Sequence, residues 1–350
     1  MSFPTAVSPS LRRAGGLLSL TALLAASDCT PVRESIDTDS GNSMMDPSDE
    51  EKKPGTITIS PGNASITING SAQMVNFRAL SSKLGDVTNL ALRQEFAFAR
   101  ARFDRLGLGP AGATVIPGNH DAYVAEGVPL FTELFAPFCA GDPDWAPPAD
   151  AAAAATTALT RAADRPAVLA DPADDPRWPI VRVRGPLALI ATSTSRATPW
   201  FTAYGRLGAG QLARLRRVLS DPRLADKLRV VAIHHPPAGP RARNKIRGLR
   251  DHAAFAEVIA AAGADLIVHG HEHRDMTEAL PGPRGPVPVR GIASGTYCHN
   301  KPERTARYRI FELTQGRIVA DHVRVWDRAQ RRFVAERDGA LGALGANPTT

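Results

Sequence analysis

Three short apolar stretches of this sequence each run directly into a cluster of polar side chains that can bind metal ions. The clusters are Gly118-Asn119-His120-Asp121, His234-His235-Pro236-Pro237 and Gly270-His271-Glu272-His273. Each apolar stretch has the length and composition of a buried β-strand. In layered α/β folds, ligands bind beyond the carboxyl ends of the strands, so we expect the three clusters to converge on one cleft.

The three clusters offer nitrogen and oxygen ligands and no thiolate. That donor set suits manganese, iron or zinc, so the sequence predicts a divalent transition-metal site. His271 and His273 lie two residues apart; in extended chain they project the same way, and a bend beyond the strand lets them reach adjacent ions. Gly118 and Gly270 permit the sharp turns and the close backbone approach that such a site needs.

The segments between the clusters alternate between helix-like and strand-like patterns, which predicts an α/β fold with a sheet covered on both faces. Helices are expected over 90–106, 207–220 and 252–263. A hairpin is expected over 179–194, and late strands over 288–295, 307–314 and 317–327. Residues 140–176 are rich in Ala, Pro and Asp and are interpreted as an insertion or loop.

The first 29 residues have the order of a secretory leader. Arg12 and Arg13 precede an apolar stretch from Leu17 to Ala26, and small residues follow. Cys29 lies where a lipoprotein carries its modified cysteine, although Asp28 fits a lipobox poorly. We expect an exported or membrane-anchored, lipoprotein-like protein if this leader is real, and a cytoplasmic protein with a disordered leader otherwise. No apolar run approaches the roughly 18 residues of a membrane span.

Composition divides the rest of the chain into four parts. Residues 30–56 are polar, acidic and proline-containing, and are predicted to form a disordered linker. Residues 57–84 are β-rich, and resemble the opening strands of a bacterial immunoglobulin-like module that is too short to close a sandwich. Residues 85–330 carry the metal-ligating clusters and are predicted to form the main domain, followed by a tail over 331–350.

The segment Gly85-Asp86-Val87-Thr88-Asn89, followed in order by GNHD, HHPP and GHEH, resembles the calcineurin-like metallophosphoesterase family. The likeness is greatest to bacterial members that include class III cyclic-nucleotide phosphodiesterases. The resemblance implies a four-layer α/β/β/α sandwich. It also implies hydrolysis of a phosphomonoester, phosphodiester or pyrophosphate bond by metal-activated water.

The resemblance also assigns roles to individual residues. The implied metal ligands are Asp86, Asn119, His234, His271 and His273. Asp86 would bridge two ions, with His273 on one ion and the other three ligands on the second. His120 would bind no metal, and would stabilise the phosphoryl transition state or protonate the leaving group.

Several of these residues have alternative interpretations. Asp86 could be a turn aspartate that caps the following helix. His235 is expected to support its neighbours or face the substrate, or to be the ligand in place of His234. We expect His269 to pack or form a hydrogen bond, and Glu272 to face solvent.

The sequence departs from the family at its beginning, because no Asp-x-His motif precedes Asp86. There is no histidine before His120, and Asp37 and Asp39 lie in the linker without a strand before them. We therefore expect a sandwich that is incomplete at its N-terminal strands, one bound ion instead of two, and impaired hydrolysis. The alternatives are a non-catalytic remnant that binds phosphate or lipid, and a phosphoesterase portion that no longer folds.

Charge and cysteine content give the remaining expectations. The net charge is +7 and the calculated pI is about 9.7, which favours anionic partners such as a phosphate-ester substrate. The basic loop at 240–250 is interpreted as a lip for an anionic substrate or lipid headgroup, or as a solvated arginine loop. No specific nucleic-acid-binding motif is present. Three scattered cysteines form neither a disulfide framework nor a zinc finger.

Overall fold

Ten β-strands in two sheets form the middle of the protein in the computed structural model, which describes residues 75–79, 85–145, 175–296, 301–314 and 317–337. In chain order they are β1 (Val75–Ala79), β2 (Ile180–Arg184), β3 (Leu187–Ala191), β4 (Leu228–Ile233), β5 (Leu266–His269), β6 (Met276–Leu280), β7 (Val287–Gly291), β8 (Arg307–Thr314), β9 (Arg317–Asp327) and β10 (Arg332–Arg337).

The larger sheet has six strands in the order β2-β3-β4-β5-β7-β6. The four inner strands run parallel, while β2 and β6 pair antiparallel at the two edges. Every residue of β3 and β4 is buried. A parallel strand covered on both faces needs apolar side chains on both, which is why these segments read as continuous apolar runs.

The smaller sheet is antiparallel in the order β1-β8-β9-β10. Strand β1 pairs with β8 in the register Val75 to Leu313, so the folded sheet reaches back into the segment 57–84. Strand β10 pairs with β9, so the predicted tail at 331–350 contains a paired strand. Both observations extend the sheet beyond the expected limits of 85 and 330.

Six α-helices among the described residues accompany the sheets. They are α1 (Arg93–Asp104), α2 (Gly109–Gly112), α3 (Gly127–Phe135), α4 (Ala209–Leu219), α5 (Gly239–Ala242) and α6 (His252–Ala262). Helices α4 and α6 cover the outer face of the larger sheet, where Leu215 and Phe255 pack with Ile190 and Val231. The other face packs on the smaller sheet through a second cluster that includes Leu189, Val230, Phe311 and Leu313.

Helices α1 and α3 form a second helical group with its own aromatic core. Phe103 packs edge-on against Phe138, with ring centroids 4.2 Å apart, and Phe131 stacks on Phe135 at 5.4 Å. Together the helices and sheets form the mixed α/β sandwich that the sequence predicts. This aromatic group matters for the site because it supports the loops that carry Asp86 and Asn119.

A buried charged network joins the two sheets next to the last histidine cluster. The guanidinium of Arg309 on β8 bonds the carboxylates of Asp321 on β9 and Asp275. Arg290 on β7 lies 3.4 Å from the same Asp321 carboxylate. Because buried charges are costly unless paired, this network fixes how β7, β8 and β9 meet.

Most predicted elements are present, and the exceptions have local causes. Helix α1 begins at Arg93 instead of residue 90, because Glu95 accepts hydrogen bonds from the backbone N–H groups of Leu90 and Leu92. The apolar stretch that precedes Gly118, residues 113–117, is expected to be a buried β-strand; it is buried but forms no continuous strand among the described residues. The carbonyl of Ala113 accepts a 2.6 Å bond from the Arg182 guanidinium in place of a neighbouring strand.

Helix α3 and strands β6 and β10 were not predicted from the sequence. The leader at 1–29, the linker at 30–56 and most of the 140–176 insertion lie outside the described residues. That the sandwich is incomplete at its N-terminal strands stays a prediction. Among the described residues, no helix has the length and apolar character required to cross a membrane.

Candidate metal centre

Strands β4 and β5 place two of the histidine clusters side by side. The two strands are parallel neighbours with Ile233 paired to His269, so their carboxyl ends lie at the same edge of the sheet. The Gly270 N–H donates to the carbonyl of His234, which continues this pairing into the loops. The Asn119 loop and the Asp86 loop reach the same point, so the expected convergence is present.

Four buried side chains meet at this point with their polar atoms facing one another. Asn119 Oδ1 lies 3.0 Å from His234 Nε2 and 2.8 Å from His271 Nδ1, and the two histidine nitrogens are 3.2 Å apart. Asp86 Oδ2 lies 3.5 Å from His234 Nε2. All four residues are at most 3% exposed, so a carboxylate, an amide oxygen and two imidazoles form one water-excluded cluster.

The orientation of the Asn119 side chain is set by Tyr123. The Asn119 Nδ2 group donates to Tyr123 Oη at 3.3 Å, which directs Oδ1 towards the two histidines. Burial raises the pKa of Tyr123, the Asp86 carboxylate adds to this effect, and Arg247 opposes it. Tyr123 therefore directs the amide oxygen of Asn119, and not the amide N–H₂ group, into the cluster.

Asp86 is held at the cluster by the backbone of His120 and by two glycines. Its Oδ1 accepts a 2.8 Å hydrogen bond from the His120 N–H. A Cβ atom on Gly118 would overlap the Asp86 carboxylate, and one on Gly85 would lie 2.7 Å from His234 Nδ1. Only glycine allows this approach, which explains why the sequence has Gly directly before both Asp86 and Asn119.

Three residues of the site have left-handed backbone conformations although none is glycine. The φ angles are 59° for Asp86, 69° for His271 and 52° for His273. Such conformations cost of order 1 kcal/mol or more and persist where the surroundings demand them. Here they turn side chains at loop tips back towards the cluster.

His235 is buried against the cluster but its two ring nitrogens are already bonded. Nδ1 lies 2.7 Å from Thr194 Oγ1 and Nε2 lies 3.0 Å from the Ala203 carbonyl. Burial lowers the pKa of His235 to about 3, so the ring is neutral, with Nε2–H donating to Ala203 and Nδ1 accepting from Thr194. His235 is near enough to group with His234 and His271, yet it supports the site and offers no free nitrogen.

The imidazole of His271 is suited to binding a cation. Burial lowers the pKa of His271 well below its usual value, so the imidazole is neutral and keeps a lone pair. Its Nε2 atom is buried without a hydrogen-bond partner among the described residues. Imidazole nitrogens together with the Asp86 carboxylate and the Asn119 amide oxygen form a donor set that suits a divalent transition ion. Asp86, Asn119, His234 and His271 are the residues that could hold it.

The other predicted site residues lie around this cluster. His120 is at the mouth: its Nδ1 lies 2.8 Å from the Asn89 carbonyl, and its Nε2 lies 3.2 Å from Tyr123 Oη. His273 is half-buried and near enough for its charge to lower the pKa of His271. Glu272 does not face solvent as expected: its side chain is 9% exposed and lies 3.4 Å from Arg241.

Asp121 braces the two loops that carry the oxygen ligands. Its carboxylate accepts hydrogen bonds from the N–H groups of Gly118, Val87 and Thr88 and from the Thr88 hydroxyl. Burial and the nearby Asp86 raise its pKa to about 7, and these hydrogen bonds act in the opposite direction. A buried carboxylate with so many donors is a structural connection between the loops and not a ligand.

Sequence reasoning missed Tyr123 and Thr194, and it placed Asp121 in the first cluster without giving it a role. Asp121 and Tyr123 follow Asn119 within one turn, so their nearness in sequence was an available signal. Thr194 follows β3, and nothing in the sequence indicates that its hydroxyl bonds His235.

The fold and the buried ligand cluster together define a metal-binding α/β protein. The family model for the calcineurin-like phosphoesterases matches residues 84–275, which is more than half of the chain, and this protein belongs to that family. The family is metal-dependent, and its domain implies a hydrolase of phosphoric esters.

None of the curated proteins matches this sequence closely enough to count as a relative. Twenty-one chains among the solved structures match it. One of them is described as GAP50, the anchor in the inner membrane complex of Plasmodium. It is 9% identical, with 76% of this chain and 88% of that chain covered, at a TM-score of 0.34. A likeness at this level does not bear on function.

Proposed function

We propose that this chain hydrolyses a phosphate ester by metal-activated water at the cluster of Asp86, Asn119, His234 and His271. The observation that supports this most directly is the convergence of four buried N and O donors from four separate loops. In addition, His271 Nε2 is buried without a hydrogen-bond partner among the described residues.

We propose one tightly held ion of manganese, iron or zinc. A divalent ion bound there supplies Lewis-acid polarisation of a phosphoryl oxygen and lowers the pKa of water. The second site of the family would be left with Asp86 and His273, and two protein ligands rarely hold a transition ion well. That no histidine precedes His120 in the sequence supports this count.

His120 is suited to move the proton in this reaction. Because its Nδ1–H donates to the Asn89 carbonyl, Nε2 is the nitrogen that can take up and release a proton. Nε2 faces the mouth of the site, where Tyr123 Oη is its neighbour. His120 would protonate the leaving oxygen or stabilise the phosphoryl transition state, and its N–H holds the Asp86 carboxylate in place.

The substrate is a phosphomonoester, a phosphodiester or a pyrophosphate, and the likeness to class III cyclic-nucleotide phosphodiesterases favours a diester. The basic residues of 240–250 would attract it, because the charge of Arg247 acts on Tyr123 and His271 at the cluster. The second candidate is a non-catalytic remnant that binds phosphate or lipid. The small set of ligands for a second ion, Asp86 and His273, favours that reading.

The test combines a metal count with turnover of an aryl phosphodiester. The full chain is loaded with manganese, dialysed extensively and measured by elemental analysis, and hydrolysis is followed with His120→Ala and with His322→Ala as a control on the smaller sheet. We expect one ion per chain in all three proteins, turnover reduced about 10²–10⁴-fold in His120→Ala, and turnover unchanged in His322→Ala.

Each outcome separates the candidates. Two ions per chain after dialysis would contradict the single-ion proposal and indicate a replacement ligand. One ion with no turnover above that of His120→Ala would favour the remnant. No bound ion would reject the metal centre itself.

A further inference from the structure

A tight turn beside the metal centre exposes two large aromatic side chains. The turn runs from Pro199 to Thr202, closed by the Thr202 N–H and hydroxyl, which both donate to the Pro199 carbonyl. At its tip Trp200 is 89% exposed and Phe201 is 97% exposed. Phe201 has a φ of 65°, a conformation unfavourable for phenylalanine. The strained turn therefore exposes both rings, which pack little against the described residues.

The aromatic turn is joined to the basic loop at 240–250. The Ala203 N–H donates to the Ile246 carbonyl at 2.9 Å, and the Gly205 N–H donates to the Gly248 carbonyl at 3.0 Å. The side chain of Ile246 is itself 53% exposed. The two segments 196–206 and 240–250, which we call the lip, thus form one surface with three exposed apolar side chains.

The lip is strongly positive. It carries seven basic side chains, Arg196, Arg206, Arg241, Arg243, Lys245, Arg247 and Arg250, and no acidic one. Arg243, Lys245 and Arg247 are exposed, and none of them forms an ion pair with a described residue. A solvated arginine loop would explain the charge but not the apolar tip, and large exposed apolar groups rimmed by polar ones mark interaction sites.

The lip is also part of the wall of the metal centre. The Ala203 carbonyl accepts the hydrogen bond from His235 Nε2. The charge of Arg247 acts on Tyr123 and His271. The lip is therefore joined directly to a residue that lines the cluster.

We propose that the lip binds an anionic lipid surface. Tryptophan and phenylalanine partition into the boundary between headgroups and acyl chains, and Ile246 adds apolar area. The basic side chains around them attract anionic headgroups. Binding does not depend on catalysis. The consequence that a headgroup phosphate is presented to the metal centre rests on the proposed function.

Single-stranded nucleic acid would also use basic and aromatic side chains, but it fits this surface less well. Such binding stacks successive bases on ring faces along a groove. Here the apolar side chains are concentrated at one turn, and one of the three is an isoleucine without a stacking face. The clustering at a single apolar tip favours insertion into lipid.

The test measures binding of the full chain to sedimented vesicles. Vesicles of phosphatidylcholine with phosphatidylglycerol are compared with vesicles of phosphatidylcholine alone, at low and high salt. The lip variants are Trp200→Ala with Phe201→Ala, and Arg243→Glu with Lys245→Glu. The controls are Phe98→Ala, on the exposed side of α1, and Arg216→Glu with Arg217→Glu, on the exposed side of α4. Thermal unfolding of each variant establishes that it is folded.

We expect binding only to the anionic vesicles, weakened by salt and reduced about tenfold or more in each lip double variant. The controls should bind like the wild type. Equal binding by the wild type and the aromatic variant, or no binding by the wild type, would overturn the inference. Displacement of vesicles by an oligothymidine through the same residues would overturn it in favour of nucleic acid.

The outcome is separable from the proposed function. Turnover of a soluble aryl phosphodiester without vesicles should be the same for the wild type and for Trp200→Ala with Phe201→Ala, because these two rings lie outside the basic loop that would attract the substrate. Turnover without vesicle binding would reject the lip proposal and leave the hydrolase, whereas vesicle binding without turnover would do the reverse.

Discussion

At the residue scale, hydrogen bonds decide which side chains of the site are available to an ion. His234 and His235 are adjacent in sequence and both fully buried, so burial does not distinguish them. His235 uses both nitrogens in bonds to Thr194 and Ala203, while His234 directs Nε2 at Asn119 and Asp86. The structure therefore makes His234 the better candidate ligand.

This difference gives a prediction for two matched variants, His234→Ala and His235→Ala. Each removes one buried imidazole from the same strand end, so the loss of packing is similar. We expect His234→Ala to reduce manganese affinity below detection, and His235→Ala to retain one ion with affinity within about tenfold of the wild type. Titration calorimetry on metal-free protein measures both. The reverse order of affinities would show that His235 is the ligand.

At the scale of secondary structure, the helical group of α1 and α3 supports the loops that carry the oxygen ligands. Phe103 is buried between Phe135 and Phe138, with centroid distances of 6.2 and 4.2 Å. Phe98 lies on the same helix but is 40% exposed, with the Arg102 guanidinium 4.6 Å from its ring centroid. The two phenylalanines thus have the same side chain and lie on the same helix, but they differ in burial.

We predict that Phe103→Ala lowers the free energy of unfolding by about 3–5 kcal/mol, because it leaves a cavity in an aromatic core. Phe98→Ala should lower it by about 1 kcal/mol or less. Urea unfolding of the metal-free protein, followed by circular dichroism, measures both. Similar losses in the two variants would mean that α1 does not pack on α3 through this core.

At the scale of the whole molecule, the two sheets are held together by apolar packing and by the Arg309 network. Phe311 and Leu313 of β8 pack against the larger sheet, and Arg309 on the same strand bonds Asp275 and Asp321. Asp275 lies two residues after His273, so the contact between the sheets also orients the last histidine loop. The N-terminal part of the described chain enters this arrangement as β1, at the edge of the smaller sheet.

We predict that deleting residues 1–56 changes the midpoint of thermal unfolding by no more than a few degrees. From its composition we expect the deleted part to be a leader and a polar, acidic linker. Strand β1 begins at Val75, so its pairing with β8 is kept. Differential scanning calorimetry of the two chains makes the comparison. Loss of a cooperative transition on deletion would show that this segment completes the fold.

The sequence by itself determined the α/β class, most strands and helices, and the residues that meet at the cluster. It could do so because an apolar strand that ends in a polar cluster indicates two things within about ten residues: the secondary structure and the position of the site. The parallel pairing of β4 and β5 is then sufficient to place His234 and His271 at one edge of the sheet.

Only the tertiary structure decided the contacts between residues distant in sequence. Thr194 hydrogen-bonds a ring nitrogen of His235, which lies 41 residues further along the chain. The carbonyl of Ala113 is taken by Arg182 in place of a strand, and the aromatic turn at Trp200 joins the basic loop through Ala203 and Ile246. Periodicity and composition report burial along one segment, whereas these hydrogen bonds depend on where a second segment lies.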